Sequence, residues 1–297
     1  MDKETEKIFE KVVQKESLEK ELFKKLTWDI LDLHRKIKHG KKERRERFWK
    51  EKEYNALKKK LIESHPEQAE SIKLLLGIRK LGELEKKIEE RGKKTPKEVF
   101  LELVSWQQKI AKFLLEKDQE TCKNFWESFK LIFRDFCEDP RWRAKFLANR
   151  NGLVGQIGVY KTLEHFNLKP EFSLPREDAF EQTDLYCVSG EERMPAQIKY
   201  TGRVSKPLIY VTDKIDFPSP VIERGGTKTY ISAEDIKQMT RLKASCEKMS
   251  KMEGKEIRGL YLACPWSSFD EISGQPTKEF LAQIKPEIEK YFESKKP

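Results

Sequence analysis

The sequence is poor in cysteine, which disulfide-rich proteins require, and in glycine and proline, which are enriched in disordered chains. Among its 297 residues there are only 5 cysteines, 14 glycines and 13 prolines. The cysteines are odd in number and show no CxxC spacing, so we expect reduced, mostly buried thiols rather than a disulfide framework. With glycine and proline this sparse, extended disorder is not expected.

Long apolar runs are also absent. No stretch approaches the length of a membrane span. The N-terminal residues are charged from Asp2 onward and lack the apolar region of a signal peptide. These absences predict a cytoplasmic protein without a membrane partner.

Charge, in contrast, is abundant. Charged residues make up 38% of the chain, hydrophobic residues 37%, and the net charge is +10. The length fits one large or two ordinary domains and is ample for a core. The positive excess favours a polyanionic partner such as nucleic acid. A surface rich in lysine and glutamate, as in thermophiles, would give a similar composition, so charge alone does not decide between the two.

The N-terminal half carries apolar side chains at helical spacing. One such pattern covers residues 3–39, and others follow from Pro66, after Pro96 and over residues 119–138. The last of these has an aromatic stripe typical of a core: Phe125, Phe129, Phe133 and Phe136. We therefore expect residues 1–140 to form an all-α bundle with long helices.

A basic run with interleaved aromatic residues lies within this half. It extends from Lys41 to Lys60 and includes Arg44, Arg45 and Arg47. Such a run can hold phosphates and stack on bases, but it is also typical of a solvated helix face. Both interpretations stay open. The long helices also offer a surface for a homodimer or for another protein.

The C-terminal half changes to mixed helix and strand patterns. We place the domain boundary between residues 140 and 151, which gives a second domain over residues 141–297. A turn is expected at residues 149–152, followed by a helix to Phe166. The helix has glycines spaced by three, which allow the backbone to approach a sheet closely. These are Gly152, Gly155 and Gly158.

Two expected strands bring polar side chains to one point. Asp184 precedes an apolar strand, and Gln197 and Lys199 share one face of the next, because residues i and i+2 of a strand point the same way. A hairpin would place Asp184 beside Gln197. One carboxylate, one amide oxygen and one amine suit Mg²⁺ beside a phosphate.

These residues resemble the motif of the PD-(D/E)XK, or restriction-endonuclease-like, nuclease superfamily. Its members have an acid at a strand start and then (D/E)-x-K on the next strand. Gln197-Ile198-Lys199 matches the Q-x-K form of the Mrr-like members, and Gln156 falls where the preceding helix often has a glutamate. The resemblance covers roughly residues 150–265. It implies an αβββαβ core with a mixed central sheet, and hence a two-domain α+β protein.

The resemblance also implies a function. The expected activity is metal-dependent hydrolysis of nucleic-acid phosphodiester bonds with Mg²⁺ or Mn²⁺, by a DNA endonuclease of defence, restriction or repair. Asp184, the Gln197 oxygen and the Ile198 carbonyl would hold the metal, Lys199 would act on the phosphate or the attacking water, and Gln156 would hold a water. Three nearby basic residues are candidate phosphate contacts: Lys161, Arg203 and Lys206.

The chain departs from the family pattern at two positions. Glutamines stand where acids are common, so Asp184 is the only clear carboxylate ligand. Four other acids are near in sequence: Glu164, Glu177, Asp178 and Glu181. An alternative is therefore a catalytically impaired nuclease fold that binds nucleic acid or serves in assembly. A third is a helical scaffold that recruits a protein partner.

Overall fold

The computed structural model describes residues 20–32, 35, 44–136, 140–181, 183–189, 192–202, 204, 206–212, 221–224, 227–230 and 232–292. For some of these, including residues 44–51, only the backbone is described. The helix expected over residues 3–39 is present over residues 20–32 and at residue 35. The rest of that prediction lies outside the described residues.

The chain forms two compact units, and neither is a single stretch of sequence. The first contains Met1–Val99 and Lys112–Arg150. The second contains Phe100–Ala111 and Asn151–Pro297. This division differs from a single boundary between residues 140 and 151, because a segment from the middle of the expected helical domain belongs to the second unit.

The described part of the first unit is helical. Its helices are α1 (residues 20–32), α2 (Arg44–Ser64), α3 (Ala69–Arg91), parts of α4 (Lys97–Leu115), α5 (Gln119–Phe136) and the start of α6 (Trp142–His165). In α5, Phe125, Phe129 and Phe133 are fully buried. The Phe129 ring centroid lies 5.7 Å from that of Phe146. Each such burial contributes about 1.5–3 kcal/mol, so these three residues of the stripe are core, as expected. The side chain of Phe136 lies outside the described residues.

Helix α6 is longer than the sequence suggests. The predicted turn at residues 149–152 is wrong, because the helix continues through them. The Asn149 side chain supplies the physical reason. Its Nδ2 donates to the carbonyl of Lys145 one turn earlier (3.1 Å) and also to the carboxylate of Glu85. These hydrogen bonds offset the low helix propensity of asparagine.

The second unit is built on one mixed sheet. Its strands are β1 (Lys169–Phe172), β2 (Leu185–Ser189), β3 (Glu192–Thr201), β4 (Leu208–Val211) and β7 (Leu260–Pro265). A separate hairpin is formed by β5 (Val221–Arg224) and β6 (Thr227–Tyr230). The further helices of this unit are α7 (Pro175–Glu181), α8 (Ala233–Glu253) and α9 (Lys278–Phe292).

The sheet has the order β1-β2-β3-β7-β4. Strands β1, β2 and β3 are antiparallel neighbours, β7 runs parallel to β3, and β4 is antiparallel to β7. All six residues of β7 are buried, which is expected for a strand covered on both faces. The fold is therefore α+β, mostly helical, with a mixed five-stranded sheet in the C-terminal half.

Helices cover both faces of this sheet. A Cβ at Gly155 of α6 would lie 2.5 Å from the Cβ of Tyr200 on β3, and one at Gly158 would meet the ring of Phe269. Gly155 thus permits the close approach to the sheet that the spacing predicts, whereas Gly158 faces a residue after β7 and a Cβ at Gly152 would meet no atom within 4 Å. On the other face, α8 packs its apolar residues against Tyr261 of β7.

Candidate active site

Asp184 lies at the start of β2, immediately before Leu185, and both its backbone and its side chain are held by β3. Its N–H donates to the carbonyl of Ala196 (2.8 Å). Its Oδ2 accepts from the side-chain Nε2 of Gln197 (2.7 Å) and from the N–H of Ile198 (2.6 Å). Because β2 begins opposite Ala196, Ile198 lies past the β2–β3 ladder and its N–H can bond to the carboxylate. The hairpin therefore brings Asp184 and Gln197 together.

Gln156 approaches the same carboxylate from α6. Its Nε2 lies 3.5 Å from Asp184 Oδ1, which makes a long hydrogen bond. The neighbouring Gly155 allows this approach, since it lets the helix backbone come against Tyr200 of β3. Two amides from different elements thus donate to one carboxylate.

The side-chain oxygens of these two amides have no partner. Gln156 Oε1 and Gln197 Oε1 are both buried, and no described residue donates a hydrogen bond to either. Leaving a buried polar atom unbonded costs about 1–3 kcal/mol. Strain, a catalytic role, a water or an ion can account for such atoms in a native structure. Here two of them flank a single carboxylate.

Lys199 lies on the same face of β3 as Gln197 and is half-buried. Among the described residues, none forms a hydrogen bond or ion pair with its ammonium group. Burial raises the pKa of Asp184, while the Ile198 N–H, the Lys199 charge and the Gln156 amide act to lower it. The net rise means that burial disfavours the ionised form of this carboxyl.

A second carboxyl, Asp178 on α7, lies near enough to interact with the charge of Asp184. Burial is the main cause that raises its pKa, the Asp184 charge adds to the rise, and a hydrogen bond from Gln108 opposes it. That bond runs from Gln108 Nε2 to Asp178 Oδ2 (3.1 Å). The same Nε2 lies 3.5 Å from Ser173 Oγ, and Ser173 Oγ donates to the Asp184 carbonyl (3.1 Å).

The sequence gives little indication of this second carboxyl. Asp178 was one of four acids near enough in sequence to help, and nothing distinguished it. Gln108 and Ser173 were not anticipated at all. Gln108 lies in the segment Phe100–Ala111, which belongs to the second unit although it comes from a helix expected in the first domain. No motif links it to the site.

The other three acids do not add to the site in the described structure. Glu164 is exposed. Glu177 Oε2 accepts from the N–H of Leu174 (2.7 Å) at the start of α7, a helix-capping contact. The side chain of Glu181 lies outside the described residues.

The candidate phosphate contacts are not brought together by the described structure. Lys161 Nζ donates to the Ser273 carbonyl (3.0 Å), and Lys206 is exposed. The remaining basic candidates fall outside the described side chains: Arg203, Arg44, Arg45 and Arg47.

The described residues contain no group of three or more histidines, cysteines, aspartates or glutamates placed to hold a metal ion. They also contain no helix with the length and apolar character needed to cross a bilayer. Comparison with protein-family models, with curated proteins and with solved structures finds no match to this chain. The site is therefore interpreted from its own geometry.

Proposed function

We propose that the second unit is a metal-dependent nuclease that hydrolyses nucleic-acid phosphodiester bonds, with DNA as the expected substrate. One observation carries the proposal. The Asp184 carboxylate is held between the amides of Gln156 and Gln197, and the Lys199 ammonium lies on the same strand face as Gln197. Carboxylate and amide oxygens beside an amine suit a hard divalent ion next to a phosphate.

The topology of the sheet supports this proposal. In chain order, α6 is followed by β1, β2 and β3, and later by α8 and β7, with β7 parallel to β3. This is the order expected for a restriction-endonuclease-like core, with α7 and β4 to β6 as additions. Asp184 precedes the second strand of that core, and Gln197 and Lys199 lie on the third.

The residues at the site fit Mg²⁺ or Mn²⁺. Among the described residues, Asp184 Oδ1 accepts only the long bond from Gln156, and the two amide oxygens that lack a donor lie beside the carboxylate. The N–H and C=O of one strand residue point to the same side, so the Ile198 carbonyl also faces the Asp184 edge. All four groups are oxygen donors, which hard cations prefer over thiolate or imidazole.

Each residue then has a definite role. When bound, a divalent ion supplies Lewis-acid stabilisation of the phosphoryl oxygens and a water of lowered pKa. Asp184, Gln197 and the Ile198 carbonyl would hold the ion, and Gln156 would orient a water. Lys199 offsets the negative charge that develops on the phosphate, and its half-buried position reduces the screening of that charge by solvent.

The test is cleavage of labelled single-stranded, duplex and branched DNA and RNA in Mg²⁺, Mn²⁺ or EDTA. Wild type should cleave only with metal, and Asp184→Asn should lower the rate by roughly 10²–10³-fold or more, because a positioned charge is lost. Glu85→Gln, which removes a carboxyl from the first unit, is the matched control and should retain the wild-type rate. Equal rates in wild type and Asp184→Asn would refute the proposal.

A second candidate is a nucleic-acid-binding or assembly protein that keeps this fold with impaired metal chemistry. The glutamines at positions 156 and 197 favour it, because an amide oxygen coordinates a metal without contributing charge. The result that would favour this candidate is salt-dependent nucleic-acid binding with no metal affinity and no cleavage.

A further inference from the structure

The proposed site lacks the second carboxylate that divalent-metal sites commonly have. Mg²⁺ is usually held by one or two carboxylates, and Gln156 and Gln197 provide none. Asp178 is a carboxyl on which the charge of Asp184 acts. It reaches the site from α7, a helix that lies between β1 and β2 in the chain.

A short chain of hydrogen bonds connects the two acids. The Gln108 amide donates to Asp178 Oδ2 (3.1 Å) and approaches Ser173 Oγ (3.5 Å). Ser173 donates to the Asp184 carbonyl through both Oγ (3.1 Å) and its N–H (3.4 Å). Gln108 is 4% exposed and Ser173 is 2% exposed, so both are packed in place. The Asp178 carboxyl is therefore linked through Gln108 and Ser173 to the backbone carbonyl of Asp184.

The atoms left without a partner are oxygens. Asp178 accepts on Oδ2 alone, and no described residue donates to its Oδ1. Gln197 is 6% exposed, it is bonded to Asp184 through Nε2, and its Oε1 has no partner. A carboxylate oxygen of Asp178 and a buried amide oxygen of Gln197, both without a partner among the described residues, are donors of the kind that a hard cation takes.

The Asp178 and Asp184 carboxyl groups repel each other when both are ionised. Burial and the Asp184 charge raise the pKa of Asp178, which means that two ionised carboxylates here destabilise each other. A bound cation would remove that repulsion. A purely structural aspartate in the first turn of a helix would need only the helix N-terminus as its partner.

We propose that Asp178 is a second carboxylate ligand of the divalent metal site and that Gln108 is its positioning residue. The inference rests on the proposed metal site at Asp184, but it does not require that the bound metal cleave nucleic acid. It gives the segment Phe100–Ala111 a part in the site, since Gln108 comes from that segment.

The experiment measures Mn²⁺ binding to the full-length protein by calorimetry. Asp178→Asn should weaken the affinity by roughly 10–100-fold, and Gln108→Met, which cannot donate, by roughly tenfold. Glu177→Gln changes an acid in the same turn of α7 and should bind Mn²⁺ as wild type does. The metal-free Asp178→Asn protein should unfold at or above the wild-type midpoint, because a disfavoured buried charge is removed.

The double variant tests whether Gln108 acts through Asp178. If it does, adding Gln108→Met to Asp178→Asn should cause no further loss of affinity. Additive losses would mean that Gln108 does not act through the carboxylate. If Asp178→Asn binds Mn²⁺ as tightly as wild type while Asp184→Asn does not, the inference fails and the proposed metal site stands. If wild type binds Mn²⁺ in an Asp178-dependent way but cleaves nothing, the inference stands and the nuclease proposal fails.

Discussion

Each of the two units encloses a carboxyl group that is hydrogen-bonded to a side-chain amide. In the first unit, the Asn149 amide donates to Glu85 Oε1. In the second, the Gln197 amide donates to Asp184 Oδ2 (2.7 Å). Burial raises the pKa of Glu85, with Asn149 and Lys145 opposing the rise, and it likewise raises the pKa of Asp184. By burial and pKa alone, the two sites look alike.

The surroundings of the two carboxyls are different. Around Glu85 the charges are matched, since Lys145 donates to Glu89 (2.6 Å), and one buried oxygen, Glu85 Oε2, is left without a partner. Around Asp184, unpartnered oxygens come from α6, β3 and α7, and Lys199 adds an ammonium with no ion pair among the described residues. A raised pKa therefore indicates only a buried acid, and the oxygens contributed by several elements are what supports the proposed metal site.

The sharpest test of this contrast is the lysine beside each carboxyl. Lys199→Met should lower the cleavage rate by roughly 10²–10³-fold, because it removes a positioned charge from the site. Mn²⁺ affinity should not weaken, because a nearby positive charge is lost. Lys145→Met is the matched change beside Glu85 and should leave the rate unaltered. A Lys199→Met enzyme that cleaves at the wild-type rate would remove Lys199 from the mechanism.

The next test asks whether the first unit takes part in binding nucleic acid. Replacing Arg44, Arg45 and Arg47 with glutamine should change the binding of duplex DNA. If each arginine contacts one phosphate, the slope of log K for binding against log[salt] should become less negative by roughly two to three. Cleavage at saturating substrate should stay nearly unchanged. The control removes equal charge elsewhere in the unit by replacing Lys86, Lys87 and Arg91. If both triple variants show the same slope, the basic run is an ordinary solvated helix face.

A smaller effect is expected from converting an amide of the site into a carboxylate. Gln197→Glu loses the hydrogen bond to Asp184 and places two carboxylates together, so the metal-free protein should unfold at a lower temperature. With Mn²⁺ the added charge should tighten binding about tenfold, equivalent to about 1.4 kcal/mol. Adding Mn²⁺ should therefore raise the unfolding temperature of Gln197→Glu by more than it raises that of wild type. Unchanged affinity would show that Gln197 Oε1 does not contact the metal.

The features of the two units that depend on local sequence patterns could be predicted from the sequence. Helical spacing predicted that Phe129 is core, and strand alternation predicted that Gln197 and Lys199 share a face. The hairpin predicted the contact with Asp184. Each of these depends on residues that are near in sequence, where the period of the element fixes which side chains meet.

Contacts between residues that are distant in the sequence could not be predicted from it. Gln108 and Asp178 are joined across 70 residues, from one helix to another, and only tertiary packing sets that distance. The continuation of α6 past Asn149 also depends on a distant partner, Glu85. In both cases a side-chain hydrogen bond overrides the local preference, and no periodicity in the sequence reports such a bond.

The smallest expected effect tests whether Glu85 is only a buried acid. Since its pKa in the folded protein is raised above the unfolded value, the stability that its protonated form contributes is present at acid pH and is lost as the pH rises through the folded pKa. Glu85→Gln mimics the protonated form and should keep that stability. It should match wild type at acid pH and exceed it at neutral pH by about 0.5 kcal/mol.

Urea unfolding of both proteins across this pH range measures the difference. Contributions from Asp178 and Asp184 are common to the two proteins and cancel. The exposed Glu90→Gln serves as the control and should show no such pH-dependent difference. A Glu85→Gln protein that is less stable at neutral pH would mean that the ionised Glu85 carboxylate stabilises the fold through Asn149 and Lys145. Glu85 would then not be a mere buried acid, and this part of the contrast with Asp184 would fail.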